Sequence, residues 1–86
     1  MDTKYSTNTE DNKSYSNIKF LACLFTGKNC EFINCEFRHG CDIKEICKFT
    51  NCTFDKNCNF ARDCFAKGCE FVQCKFDDIL ISELIY

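Results

Sequence analysis

The feature that most limits what this chain can become is the recurrence of Cys-x-Phe. Between residues 30 and 76 it appears as Cys30-Glu-Phe32, Cys35-Glu-Phe37, Cys47-Lys-Phe49, Cys52-Thr-Phe54, Cys58-Asn-Phe60, Cys69-Glu-Phe71 and Cys74-Lys-Phe76. From Cys30 the cysteine spacings run five, six, six, five, six, six, five, five, so Cys30, Cys47 and Cys64 are evenly spaced at seventeen positions, as are Cys35, Cys52 and Cys69. A superperiod of this kind marks a repeat architecture, in which each unit buries its apolar face only against its neighbours.

Residues i and i+2 of an extended segment point to the same side. Cys and Phe of each unit therefore face inward together, and the residue between them faces solvent. Each unit reads as one short strand, and three units joined by corners make one coil. The expected fold is all-β: a small parallel β-solenoid (β-helix) of about four 17-residue, three-strand coils, stacked roughly 4.8 Å apart. Its expected core is Cys30, Phe32, Cys35, Phe37, Cys41, Cys47, Phe49, Cys52, Phe54, Cys58, Phe60, Cys64, Cys69, Phe71, Cys74 and Phe76.

Blocks laid out on this period, at 13–29, 30–46, 47–63 and 64–80, agree in other columns too. The fifth residues are Asn17, Asn34, Asn51 and Gly68, all types that tolerate left-handed corners, and a second corner column holds Gly40 and Asn57. Tyr15, Phe32 and Phe49 form one aromatic column; Phe20, Phe37, Phe54 and Phe71 form another. The outward columns read Ser14, Glu31, Lys48, Phe65, then Lys19, Glu36, Thr53, Glu70, then Leu24, Asp42, Asn59, Lys75. Opposite charges fall on neighbouring coils at Glu31 and Lys48, Lys19 and Glu36, and Arg38 and Asp55, each pair contributing roughly 0.2–1 kcal/mol to register.

The ends break the rule. In the first coil Ile18 occupies a cysteine column, and the seven-residue step from Cys23 to Cys30 predicts a bulge at the corner holding Thr26, Gly27, Lys28 and Asn29. In the last coil Ala66 stands where an aromatic belongs, Phe65 is outward and Cys74 comes one residue early. Phe65 is then either an exposed contact residue or is buried by a local slip of the strand. Residues 1–12 lack an apolar period and read as a polar N-terminal tail, ordered only by the first coil or a neighbouring molecule; 13–78 form the solenoid. Asp77 and Asp78 precede an apolar run in the manner of a helix N-cap. Leu80, Ile81, Leu84 and Ile85 share one helical face, with Ile79 and Tyr86 outside it. Residues 79–86 are thus expected to be a short capping helix or a dimerisation segment.

A chain of 86 residues makes one small domain, burying roughly 60–65% of its unfolded surface. Ten cysteines and ten phenylalanines supply its core, while 13 acidic and 11 basic side chains leave no single-sign basic face, which excludes direct duplex binding. So many cysteines in a short chain ordinarily indicate a secreted disulfide scaffold. Here there is no proline, there are three glycines, and the cysteines keep strict register with phenylalanine. Cysteine is being used as a small apolar residue, so mostly free, buried thiols are expected. The polar residues 1–17 hold no secretory signal, and no apolar run approaches the roughly 20 residues of a membrane span. An intracellular location follows as the expectation, cytoplasmic or within an intracellularly assembled particle.

Zinc sites place paired cysteines two to four residues apart, and the chain has no Cys-x-x-Cys. Cys23, Cys30 and Cys74, near the irregular coils, are the least poor ligands. A low-pKa thiolate at a helix N-terminus, as redox enzymes require, is equally missing. His39, the single histidine, sits beside Gly40 at a corner, and the serines are confined to Ser6, Ser14, Ser16 and Ser82 near the two ends. Neither a nucleophile with its base nor a glycine-rich phosphate loop is legible. The chain therefore reads as non-enzymatic, with no metal or cofactor.

The tandem Cys-x-Phe-x-x units over residues 18–76 resemble pentapeptide-repeat proteins, whose repeat centres on Leu or Phe with a small residue two positions earlier. The resemblance implies a right-handed parallel β-helix with both residues inside. Coils shorter than four pentapeptides point to three sides instead of four. Some members of that family dimerise through a C-terminal helix and bind DNA gyrase by imitating duplex DNA, and Asp77 to Tyr86 resemble that dimerising element. A duplex mimic needs a long acidic surface, whereas the outward columns here alternate in sign. The functional expectation is a non-catalytic structural, assembly or protein-interaction module that self-associates or joins a larger particle. Phe65, Leu24, Ile79, Leu80, Ile81, Leu84, Ile85 and Tyr86 are its candidate contact residues. The alternatives are a modulator of a topoisomerase (gyrase) and, third, a thiol-based metal or redox protein.

Overall fold

Cys-x-Phe units become strands because two inward side chains with a polar residue between them satisfy a pleated backbone that is dry on one face and wet on the other. The computed structural model describes residues 1–6, 9–61 and 68–77. Within them the chain is all-β and forms a parallel solenoid of about three turns, the fold class expected from the repeat.

The first full turn carries β2 (Ser14–Ser16), β3 (Ile18–Leu21) and β4 (Leu24–Phe25), the second β5 (Cys30–Ile33), β6 (Glu36–Arg38) and β7 (Asp42–Ile43), and the third β8 (Cys47–Thr50), β9 (Thr53–Phe54) and β10 (Asn59–Phe60). An earlier strand, β1 (Asp2–Tyr5), precedes them, and β11 (Glu70–Val72) and β12 (Lys75–Phe76) follow. Three parallel sheets make three sides: β2, β5, β8 and β11; then β1, β3, β6, β9 and β12; then β4, β7 and β10. The leading unit Cys23-Leu24-Phe25 supplies the third side of the first turn, with Leu24 opposite Asp42 and Phe25 opposite Ile43.

Inside, aromatic rings stack along the axis and meet edge to face across it. Tyr15, Phe32, Phe49 and Phe71 form one ladder, each step 5.2 Å with planes 10° apart. Phe20, Phe37, Phe54 and Phe76 form the second, with centroids 5.3, 4.7 and 5.1 Å apart. Between ladders the rings turn, as Phe32 and Phe37 do at 77°. Both arrangements suit the ring quadrupole and add about 0.5–1.5 kcal/mol per pair to the gain from burial.

Corners are made by left-handed residues. Asn17, Asn34, Asn51 and Gln73 follow the first side with φ of 56, 55, 51 and 54°. Ser6, Ala22 and His39 follow the second, and Asn12, Asn29 and Gly68 the third. Asparagine tolerates this region better than other non-glycine residues. Ala22 and Gln73 have no such aptitude and are held there by the strands on either side.

The structure departs from expectation in the register of the last turn and in one corner. The last turn does not keep the period of the earlier ones: Glu70, Phe71 and Val72 pair with Lys48, Phe49 and Thr50, and Lys75 and Phe76 pair with Thr53 and Phe54. Glu70 and Lys75 therefore each lie one side earlier than their columns predicted, Phe71 stacks on Phe49 instead of Phe54, and Gly68 belongs to the third corner. The polar residues 1–12 are ordered by the first turn, one of the two ways expected, through a strand the sequence did not signal: β1 pairs with β3, setting Asp2 opposite Ile18 and Lys4 opposite Phe20. Asn57 does not share the left-handed backbone of Gly40; the Asp55 carboxylate accepts from the Asn57 and His39 N–H groups at 3.0 and 2.9 Å and holds that corner through a side chain. Arg38 stands beside Asp55 in the register, as expected, and lowers its pKa, while its ion pairs are made with Glu36 and Asp77. Cys64, Phe65, Ala66 and the expected helix of residues 79–86 lie outside the described residues.

Candidate functional site

The two ends of the solenoid differ, and their difference follows from sequence. At the N-terminal end Asp2 and Lys4 occupy the inward columns of Ile18 and Phe20, so charges stand over the ladder. Charges directed at the core side of an edge strand oppose the addition of another strand. Residues 9–12 close the rest. The Gly27 N–H donates to Thr9 Oγ1 at 3.0 Å, Thr26 Oγ1 donates to the Thr9 carbonyl at 3.3 Å, and the Lys28 N–H donates to Asp11 at 2.7 Å. A Cβ on Gly27 would lie 2.2 Å from the Glu10 carbonyl oxygen, so only glycine allows that approach. The predicted bulge at residues 26–29 is thus the seat of the N-terminal segment.

At the C-terminal end the stack thins. Cys69, Phe71, Cys74 and Phe76 are half-buried against the core, and Val72 is exposed. The ion pair of Arg38 with Asp77 ties this end to the second turn. On the first side, Glu31, Lys48 and Glu70 stand in register with alternating sign, beside a cleft of about 240 Å³ that Asn29, Cys47 and Gly68 also line.

Of the expected core residues, Cys30, Phe32, Cys35, Phe37, Cys41, Cys47, Phe49, Cys52, Phe54, Cys58 and Phe60 are buried, and Ile18, Phe20, Cys23, Phe25 and Ile43 join them. Each free thiol among the described residues lies within donating range of a carbonyl on the preceding turn, among them Cys30 to Glu10 at 3.1 Å, Cys52 to Phe32 at 3.4 Å, Cys58 to Phe37 at 3.1 Å and Cys74 to Phe49 at 3.4 Å. Cysteine thus fills a small apolar position and adds a weak donor aimed along the axis. Eight described thiols are free, and Cys69 is in a disulfide.

Thiols also stack on thiols. Cys52 lies between Cys35 and Cys74 in its column, and interaction with these two neighbouring thiols together with burial pushes its pKa up. Cys58 is pushed up by its contact with Cys41 and by burial, and burial pushes Cys47 up to about 12. Cys74, at the end of its column, is lowered to about 7, chiefly by the hydrogen bond from Cys52. Among the described residues no group of three His, Cys, Asp or Glu side chains is placed to hold a metal, and no helix is long and apolar enough to cross a membrane.

Sequence reasoning missed β1, because its residues carry no apolar period, and the slip of the last turn. The slip had a signal: Cys-x-Phe-x-x-Cys-x-Phe occurs at 30, 47 and 69, and each occurrence opens a turn on the first side. No protein-family model matches the chain, and no curated protein matches it.

Proposed function

We propose that this protein is a non-catalytic structural or interaction module that pairs with a second copy of itself through the C-terminal end of its solenoid. The observation that supports this is the inequality of the ends: a polar, charge-bearing β1 at one, and half-buried Phe71 and Phe76 at the other, followed in sequence by Ile79, Leu80, Ile81, Leu84 and Ile85. The likeness of Asp77 to Tyr86 to the dimerising element of pentapeptide-repeat proteins supports the same reading. Association through one end is isologous and closes at two copies, whereas association through both would grow a fibre. The partner is accordingly the chain itself, inside the cell, with no nucleic acid contacted.

Sedimentation velocity of the full chain tests the proposal. A dimer is expected, and Ile81→Asp or Leu84→Asp is expected to give monomers with unchanged far-UV circular dichroism. A wild-type chain that stays monomeric to sub-millimolar concentration, or that forms open-ended fibres, rules it out.

A further inference from the structure

The cysteine column on the first corner ends at the C-terminal face. Lys75 pairs with Thr53, and the Lys75 N–H donates to the Cys52 carbonyl at 2.9 Å, so Cys74 lies in register over Cys52. Parallel strands run about 4.7–4.9 Å apart, inside the Cα separation of about 4.4–6.8 Å that a disulfide spans. Both sulfurs are aimed along the axis in the same way, Cys52 Sγ donating to the Phe32 carbonyl and Cys74 Sγ to the Phe49 carbonyl, each at 3.4 Å. Of the eight free thiols only Cys74 is not buried, while Cys35 and Cys52 are each 1% exposed. One column therefore holds a reachable sulfur with a second, protected sulfur directly beneath it.

We propose that Cys74 and Cys52 form a thiol–disulfide exchange site, in which Cys74 attacks a low-molecular-weight disulfide and Cys52 resolves the adduct, stapling the last turn to the one before. In the first step the Cys74 thiol gives its proton to solvent and the thiolate attacks one sulfur of the small disulfide, RSSR; a Cys74–S–S–R bond forms and RS⁻ leaves, taking up a proton from solvent. In the second the Cys52 sulfur attacks Cys74 Sγ, the Cys74–SR bond breaks, and the Cys52 proton leaves with the second RS⁻. Two thiols are oxidised and one RSSR is reduced to two RSH. The lowered pKa of Cys74 favours the attacking thiolate, and the raised pKa of Cys52 keeps it a thiol until the adduct lies against it. The site is independent of self-association, although a partner on this end would slow access to it.

Oxidised glutathione is the probe, applied to folded wild-type protein and to the Ile81→Asp chain, with acid quenching, alkylation in denaturant and peptide mass mapping. A transient glutathione adduct on Cys74 is expected, followed by a peptide linking Cys52 to Cys74. Cys47, which must wait for local opening, is expected to react on the order of a hundredfold more slowly or less. Cys52→Ala should accumulate the Cys74 adduct, and Cys74→Ser should leave Cys52 reduced. Should Cys52→Ala fail to fold, the order of adduct and cross-link in the unsubstituted chain decides alone. The proposal is overturned if Cys74 reacts no faster than Cys47 in both chains, or if its adduct persists while Cys52 stays reduced.

Discussion

Phe71 lies over Phe49, with ring centroids 5.2 Å apart and planes 10° from parallel, although its step along the chain is five positions longer than the one from Phe32 to Phe49. The unslipped register would put Ala66 over Phe49 and Phe71 over Phe54; the observed one puts Phe71 and Phe76 on the two ladders. One further aromatic in the stack contributes about 2 kcal/mol of burial. Five more residues between Phe60 and Cys69 cost only about 1 kcal/mol in chain closure. Aromatic continuity therefore outweighs strict periodicity.

With all thiols kept reduced, a chain lacking residues 63–67 should keep the observed stacking, with stability within about 1 kcal/mol of the parent. The amides of Lys75 and Asp77, which donate to the Cys52 and Phe54 carbonyls, report on it through hydrogen exchange. Loss of protection at both would show that the extra length is required.

Gly27→Ala should cost about 2 kcal/mol or more, because the added Cβ meets the Glu10 backbone, which has little freedom to yield. The damage should stay local, as faster proteolysis within residues 1–12. Gly68→Ala meets no atom within 4 Å but sits at φ +118°, so its cost of about 1–2 kcal/mol is conformational and should leave the N-terminal segment protected. Equal proteolysis in the two variants would contradict this division.

Phe49 stacks on Phe32 and Phe71 and meets Phe37, Phe54 and Phe60 edge-on, so it joins both ladders to the third side. Phe49→Ala should lower the unfolding free energy by about 3–5 kcal/mol in urea titration. Phe49→Leu should cost no more than about half as much, since most of the volume remains. A loss under about 1 kcal/mol for the alanine variant would mean that the core lacks the density described.

Burial raises the Asp55 carboxyl, but the His39 N–H, the Cys58 thiol, the Asn57 N–H and Arg38 outweigh it, and its pKa lies below the ordinary carboxylate value. A depressed folded pKa stabilises above the unfolded value of about 3.9 and the contribution fades as pH falls through the lower folded value. Urea midpoints should drop between about pH 5 and about pH 3, and less steeply in Asp55→Asn. An identical slope in both chains would assign the acid limb to other groups.

The alkaline limb has the opposite sign. Burial puts Cys47 at about 12, above the ordinary thiol, and Cys52 and Cys58 are also raised. Stability from such groups is complete below the unfolded value of about 8.5 and declines as pH rises toward the folded one. Between about pH 8 and about pH 10 the urea midpoint should fall, by less in Cys47→Ala. A midpoint that does not move over this range would place these sulfurs in contact with water.

What the residues themselves determined was local. Alternating Cys and Phe decide which side chains face inward, because an extended backbone has period two, and the spacing of Asn17, Asn34 and Asn51 marks one corner, because few residue types accept a positive φ without strain. Three sides and a parallel sheet on each follow from those facts. Tertiary structure decided which unit sits on which, although the Cys-x-Phe-x-x-Cys-x-Phe run at 69 carried a trace of it. Phe71 found Phe49 through the continuity of a stack whose lower steps lie far away in sequence, and Asp2 to Tyr5, with no apolar signal of their own, became a strand because β3 offered them an unpaired row of backbone donors and acceptors. Pattern encodes orientation, which each residue carries alone, whereas register is a property of pairs and is fixed only when the partners meet.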